Sequence, residues 1–158
     1  MKKSIFLMLG IAVVMMFTSC REILPPEGPL EQLQETVIGT WDATEASLMV
    51  DTTIVQTVPI NMLFGHFSLT FNRDGDGQLS MKTSEVEEED SIDIEADITY
   101  TVTEEPNGEF HINIVATVEG ETENLILVVK DFSADKLMLY NIDDDVDETT
   151  VLTFARRK

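Results

Sequence analysis

The sequence predicts an all-β domain, and within that class an antiparallel up-and-down β-barrel of eight or nine strands. From residue 37 onward, apolar side chains recur mostly at every second position, the period of a strand with one dry and one wet face. Turn-forming residues separate these runs at short intervals, and no long run has helical periodicity. Consecutive hairpins leave exposed edges unless the sheet closes on itself or packs on a second sheet. Short connections favour the closed barrel, and a β-sandwich is the alternative.

The first predicted strand covers residues 38–50 and contains the only tryptophan, Trp41, in a Gly-Thr-Trp triplet. Residues 51–58 are rich in β-branched side chains and are predicted to be its hairpin partner. Pro59 ends that run because proline cannot donate to a ladder of hydrogen bonds. The following segment, 61–65, begins with asparagine and ends with glycine, which predicts a short helical or irregular plug.

The clearest alternation in the chain covers residues 91–103, where isoleucine, alanine, tyrosine and valine alternate with acidic residues and threonine. Such a strand has one face in a core and one face in water. An Asp-Gly-Asp-Gly sequence at 74–77 predicts a tight turn, and Pro-Asn-Gly at 106–108 predicts another. The predicted strands after Pro59 are 66–71, 79–83, 91–103, 110–118, 125–129, 137–142 and 150–155.

The N-terminus has the pattern of an export signal. Lys2 and Lys3 precede an apolar run over 5–17, which is too short for a transmembrane helix of roughly 20 residues but typical of a secretory signal. Thr18-Ser19-Cys20 follows, and this resembles the lipobox of bacterial lipoproteins, with Phe17 where leucine is typical. The resemblance implies lipidation of Cys20. The predicted organisation is a signal peptide at 1–19, a lipidated cysteine and tether at 20–36, and a barrel at 37–158.

The tether and its anchor predict a location in the cell envelope. Pro25 to Pro29 cannot hold a helix or a central strand and is predicted to be an extended spacer. Residues 30–35 have leucines three positions apart, which suits one or two helical turns capping one end of the domain. The predicted partner of Cys20 is therefore a membrane, with the outer membrane favoured and its periplasmic or external side left open.

Composition excludes several classes of function. The chain has 30 acidic and 10 basic side chains, a net charge of −20, so we expect no nucleic-acid partner. Cys20 is the only cysteine, which excludes an internal disulfide and a cysteine-based metal cluster. No nucleophile-elbow or phosphate-binding motif occurs, so the prediction is a protein that is not an enzyme and uses no cofactor.

Metal sites are not predicted. Asn72, Asp74, Asp76 and Gly77 match early positions of an EF-hand loop, but Thr83 stands where a bidentate glutamate is required. A turn accounts for the same residues. Two acidic clusters, at 85–90 and 143–148, are interpreted as solvated loop charge, with weak calcium association as the alternative. The only histidines, His66 and His111, lack the spacing of a zinc site, and His111 falls on the wet face of its strand.

Gly39 and Trp41 on the first strand, about eight meandering strands, and a basic residue at the end of the last strand together resemble the lipocalin and wider calycin architecture. The resemblance is strongest to small lipocalin-like lipoproteins of Gram-negative envelopes. It implies that Trp41 closes one end of the barrel and that Arg156 or Arg157 packs across the tryptophan, as a cation–π contact. It also raises the expectation of a small apolar ligand.

Two interpretations of the barrel interior stay open. An eight-stranded barrel is either filled by side chains or leaves room for one small molecule. Ala96 and Ala116 are small inward-facing residues that could leave a gap, and Tyr100 offers a polar tip. Residues 62–64, Met-Leu-Phe, are either an apolar lid at the open end or a plug that completes the core. The alternative function is a structural or interaction lipoprotein with a filled barrel, whose acidic loops meet a partner protein.

Overall fold

The structure, a computed structural model, describes residues 28–63, 65–83, 93–118, 120–141 and 148–158. The predicted signal peptide, Cys20, Phe64, the acidic cluster at 85–90 and residues 143–147 of the second cluster lie outside these ranges. The helix and strands are α1 (Pro29–Val37), β1 (Gly39–Val50), β2 (Thr53–Pro59), a 3₁₀ turn (Ile60–Met62), β3 (His66–Phe71), β4 (Asp76–Lys82), β5 (Asp93–Glu104), β6 (Phe110–Val118), β7 (Glu121–Phe132), β8 (Lys136–Asn141) and β9 (Glu148–Arg156).

The sheet closes on itself. From β3 to β9 each strand pairs antiparallel with the next one in sequence, and β9 returns to pair with β1. That last ladder is long, from Trp41 opposite Arg156 to Val50 opposite Glu148. The predicted up-and-down barrel is therefore confirmed, and the sandwich is wrong because a sandwich keeps two separate sheets.

The strand count resolves into eight barrel strands and one extra strand. One edge of β1 carries β9, and the other is shared: residues 39–42 pair with β3, and residues 45–50 pair with β2. β2 and β3 therefore lie end to end along the same edge of β1, and the 3₁₀ turn lies between them. A register shift between Leu48 and Met49 leaves Val55 as an extra residue on β2. In the described part of the chain β2 pairs with β1 and with no other strand.

The two ends of the barrel differ. At the closed end, which carries the β3–β4, β5–β6 and β7–β8 turns, α1 lies across the opening and buries Leu33 and Val37 completely. Both residues belong to the same core cluster as Trp41. Residues 29–36, assigned above to the tether, are thus part of the packed domain. The opposite, open end carries the β6–β7 turn. The β1–β2 turn, Asp51 and Thr52, borders the same depression as Gly108 and Glu109 of the β5–β6 turn, and the 3₁₀ turn lies beside the middle of β1.

In the described residues, the one helix is neither long nor apolar enough to cross a membrane.

Candidate functional site

Trp41 is the centre of the closed end. Its side chain is fully buried, and its indole N–H donates to the backbone oxygen of Val37 at 2.7 Å. A buried indole N–H needs such a partner, since leaving it without one costs about 1–3 kcal/mol. The bond joins the last residue of α1 to strand β1, so the helix and the barrel form one unit.

Arg156 covers the other side of Trp41. Its guanidinium carbon lies 4.4 Å from the centroid of the indole ring, within the range of a cation–π contact. The same guanidinium donates to the backbone oxygens of Ile38 at 2.7 Å and Ala134 at 2.6 Å, and to that of Thr36. Thr36 and Ile38 lie at the C-terminal end of α1, where carbonyl groups lack helical partners. One side chain therefore joins α1, β9 and the β7–β8 turn.

Gly39 makes room for Arg156. A β-carbon at position 39 would lie 2.7 Å from a terminal nitrogen of Arg156, and the glycine has φ of +131°, which L side chains rarely adopt. The backbone conformation therefore favours glycine here, and a β-carbon would in addition displace the tip of the Arg156 side chain. This gives a physical reason for the Gly-Thr-Trp triplet.

Arg157 has a different position. It lies on the outer face, where it forms a bidentate pair with Asp42, one of its hydrogen bonds measuring 2.8 Å. That hydrogen bonding lowers the pKa of Asp42 from its usual value, against a smaller opposing effect of burial. The sequence did not decide whether Arg156 or Arg157 packs on Trp41, and the structure places Arg156 there.

The barrel interior is occupied by side chains. Ala96 and Ala116, the predicted gap, are only 3% and 8% exposed and belong to one continuous core cluster. Aromatic rings also pack in the core: Phe67 meets Phe154 edge to face at 5.5 Å between ring centroids. The largest fully buried side chains are those of Trp41, Phe71, Phe154, Leu33, Leu69, Ile112, Ile114, Leu137 and Leu139.

Tyr100 is not available as a polar group inside the barrel. Its hydroxyl donates to the backbone oxygen of Asn72 at 2.6 Å, and its ring packs edge to face on Phe71 at 4.7 Å. Burial raises the pKa of Tyr100, and the nearby carboxylates of Asp74 and Asp76 raise it further. The tyrosine therefore fastens the β3–β4 turn to β5 at the closed end.

The EF-hand-like residues form that same turn. Asn72 donates from its side chain to Asp76 at 2.5 Å, and its backbone N–H donates to the backbone oxygen of Asp76. In the described part of the chain, no three histidine, cysteine, aspartate or glutamate side chains are placed to hold a metal ion together.

Surface depressions lie on the outer wall and at the closed end. One has a volume of about 650 Å³ and is lined by Thr70, Gln78, Asp97 and Thr99 among others. Another, of about 270 Å³, lies beside α1 and is lined by Gln34, Arg73 and Tyr100 among others. Neither depression reaches Ala96 or Ala116.

An apolar surface lies on the extra strand, β2, and on the 3₁₀ turn that follows it. Met62 and Leu63, interpreted above as either a lid or a plug, are exposed, Met62 to 72%, so these two side chains do not complete the core. Ile54 and Val55 on β2 are exposed to 39% and 56%. Sequence reasoning identified Met62 and Leu63 but missed Ile54 and Val55, because β-branched residues in a strand are more often taken as core.

The burial of the His111 side chain was likewise not predicted from the sequence. Its strand position is on the outer face, as predicted, but only 12% of its side chain is exposed. Nδ1 lies 3.7 Å from Glu105 and Nε2 lies 3.8 Å from Glu109. Both carboxylates belong to the β5–β6 turn, so the histidine packs beneath that turn.

Comparison with known proteins gives a likeness of shape. No family model matches the sequence, and no curated protein matches it. Two solved structures of bovine odorant-binding protein, a lipocalin, are similar. A deswapped triple mutant is 13% identical, with a TM-score of 0.40 over 77% of this chain and 74% of that one. A complex with a selenium-containing odorant is 12% identical, with a TM-score of 0.42 over 79% and 73%.

Sequence identities of 12–13% and TM-scores of 0.40–0.42 describe a similarity of approximate shape alone. The strand pairings themselves establish the class of protein, an eight-stranded lipocalin-like β-barrel with one extra strand.

Proposed function

We propose that this chain is a lipid-anchored protein of the bacterial cell envelope whose barrel is filled and acts through its outer surface on another protein. The observation that carries the proposal is the packed interior: both small inward-facing residues, Ala96 and Ala116, are buried within one continuous apolar core. A ligand-binding pocket needs roughly 300–1,000 Å³ of concave space. The side chains around these alanines take the place of a ligand.

The anchor and the fold support each other in this proposal. Residues 5–17 and Cys20 have the pattern of a lipoprotein signal, and α1 begins nine residues after the cysteine. Because α1 lies on the closed end, the anchored chain joins the barrel there. The open end then lies on the side of the domain opposite the anchor, in reach of a partner. No catalytic motif occurs in the sequence, so the proposed function is binding and not catalysis.

Substitution of the cysteine tests the anchor. Cys20→Ala removes the thiol that would carry the lipid, and we expect this variant to leave the membrane fraction after detergent-free fractionation or to be retained as an unprocessed precursor. Ser19→Ala is the matched control, because it leaves the thiol and a small neighbour in place. A processed Cys20→Ala protein that stays in the membrane fraction would overturn the anchor.

Native mass spectrometry tests the filled interior. The protein extracted from its own envelope should carry no stoichiometric small molecule, and an apolar fluorescent probe should not bind at saturable affinity. Leu69→Ala provides the positive control, because truncating a fully buried leucine leaves a cavity that an apolar probe can enter. A ligand that copurifies with the unmodified chain at one per barrel would replace this proposal with the ligand-carrying alternative.

A further inference from the structure

The outer edge of β2 is the place where the barrel offers unused hydrogen-bonding groups. Of the described strands, those from β3 to β9 and β1 have neighbours on both edges, whereas β2 pairs along one edge only. An edge strand presents a row of unpaired N–H and C=O groups, which is a template for another strand. Residues 53–57 are exposed, and Val58 is partly buried. The edge is therefore accessible along most of its length.

The chemistry of this edge is unusual for such an acidic protein. From Thr52 to Gly65 the sequence contains no acidic or basic side chain, although the whole chain has a net charge of −20. Proteins commonly protect exposed edges with lysine, inward-pointing charge, proline or a β-bulge. β2 has the bulge at Val55 and ends at Pro59, but it carries no charge. Ile54 and Val55 on β2, and Met62 and Leu63 three and four residues after Pro59, are all exposed. Together these residues form an apolar strip, defined as Thr53–Pro59 with Met62 and Leu63.

We propose that the apolar strip is a docking site for an extended segment of another envelope protein, which adds a strand to the free edge of β2. The segment is uncharged where it faces the strip and basic at its ends. This inference rests on the proposed function and deepens it, because it names the surface and the kind of partner.

Charge decides between this partner and a second copy of the chain. The strip is neutral, but its surroundings are acidic, with Glu45 on β1 opposite Pro59 and Asp51 in the β1–β2 turn. Two copies, each with a net charge of −20, would repel one another as their strips approached. A segment with basic ends is attracted to the same surroundings, so electrostatics favours a different protein.

Charge also decides between a protein and the membrane. An anionic lipid surface would repel a domain with a net charge of −20, and the strip has no basic side chain to offset that repulsion.

The extra residue on β2 sets the geometry of docking. The bulge at Val55 separates the pairs Leu48–Gln56 and Met49–Ile54, and Pro59 ends the strand. A bulge bends an edge and increases its twist. The expected contact is therefore short, with backbone pairing on either side of Val55 and side-chain contact from Ile54, Val55 and Met62.

A synthetic peptide tests the site directly. The probe is a seven-residue alternation of threonine and valine with two lysines at each end, titrated into the purified full-length protein in detergent. We expect saturable binding, slowed backbone hydrogen exchange in β2 and unchanged exchange in β6. A peptide with glutamates in place of the lysines should bind about tenfold more weakly at low salt, with the difference reduced in high salt.

Two matched pairs of variants locate the contact. Val55→Lys and Ile54→Lys each place a charge on the strip and should weaken binding of the lysine-flanked peptide about tenfold or more. Val115→Lys and Ile126→Lys make the same changes at 38% and 42% exposure, on strands paired along both edges, and should leave affinity unchanged. Because all four side chains are exposed, the variants should keep the wild-type circular dichroism spectrum.

Several outcomes overturn the proposal. These are equal losses in the strip variants and their controls, exchange protection outside β2, or no saturable binding at about 1 mM peptide. A dimer in sedimentation that Val55→Lys abolishes would assign the strip to a second copy, and flotation of the unlipidated domain with anionic vesicles would assign it to the membrane. The peptide assay depends on neither lipidation nor an empty interior, so its failure is distinct from failure of the proposed function.

Discussion

The guanidinium of Arg156 lies over the Trp41 ring at 4.4 Å, and these residues face each other in the β1–β9 ladder that closes the barrel. The contact therefore joins the first and last strands at the end that α1 covers. Removal of either side chain opens the same junction, and the consequences differ because Trp41 is packed while Arg156 is mainly a donor of hydrogen bonds.

We expect Trp41→Ala to lower the free energy of unfolding by roughly 3–5 kcal/mol, because it removes a fully buried large aromatic ring. Trp41→Phe should cost less, since it keeps part of the ring but leaves the Val37 carbonyl without its indole donor. Urea denaturation followed by far-ultraviolet circular dichroism measures both. An unfolding midpoint that stays at the wild-type value in Trp41→Ala would show that the ring does not hold the closed end together.

Gly39 provides a second prediction at the same junction. Gly39→Ala should destabilise the barrel by about 1–3 kcal/mol, because the new methyl group meets Arg156 and the backbone at φ of +131° becomes strained. Gly108→Ala is the matched control: it also has positive φ, +84°, but nothing lies within 4 Å of its β-carbon. The difference between the two variants combines the contact with Arg156 and the larger backbone strain at φ of +131°.

A double-mutant cycle separates the two causes further. In an Arg156→Ala background, Gly39→Ala should lose the part of its cost that comes from the steric contact and keep the part that comes from φ. If Gly39→Ala costs the same with and without Arg156, the requirement for glycine is one of backbone conformation alone.

Sequence reasoning went furthest where the controlling interactions are local. Alternation over residues 91–103 predicted β5 at 93–104, because one wet face and one dry face leave their pattern in the strand itself. The alternation of faces along β9 also distinguishes Arg156 from Arg157. Leu152 and Phe154 belong to the core or pack against it, and position 156 lies on the same face of the strand.

The limits of prediction were set by contacts between distant parts of the chain. The residue types at 53–57 do not distinguish a buried strand from an exposed one. Ile54 is exposed because β3 pairs with residues 39–42 of β1, which leaves β2 as an extra strand beside residues 45–50. The partner of the Tyr100 hydroxyl is likewise a backbone atom 28 residues away. Such pairings depend on strand register, which the period of a single strand does not specify.

Acid should weaken the Asp42–Arg157 pair. Hydrogen bonding from Arg157 holds the pKa of Asp42 below its usual value of 3.8, so the folded state binds a proton less readily than the unfolded chain. The resulting stability is fully present above the unfolded-state pKa and is lost as pH falls through the lower folded-state pKa. Because the pair is partly exposed, it contributes at most about 1 kcal/mol.

Comparison of melting temperatures at neutral pH and near pH 2 measures this contribution. Asp42→Asn should lower the melting temperature at neutral pH and have a smaller effect near pH 2, where the unfolded chain is protonated at this aspartate and the stabilisation by the charged pair is reduced. Glu123→Gln, a charge removal at an exposed position of β7, serves as the control for the change in net charge. An Asp42→Asn effect that is equal at both pH values would mean that the carboxylate does not stabilise the barrel through its charge.

Enlarging a small interior residue distinguishes a filled barrel from a hollow one. Ala96 is nearly inaccessible and packs among the large side chains of the core, so Ala96→Leu must displace its neighbours. Overpacking of this kind typically costs about 1–3 kcal/mol, whereas the same substitution into an empty cavity is tolerated or stabilising. We therefore expect Ala96→Leu to lower the free energy of unfolding in urea. Ala155→Leu, on the exposed face of β9, makes the same change without entering the core and should have little effect. A more stable Ala96→Leu protein would indicate free space inside the barrel, and the ligand-carrying function would then be the better explanation of this fold.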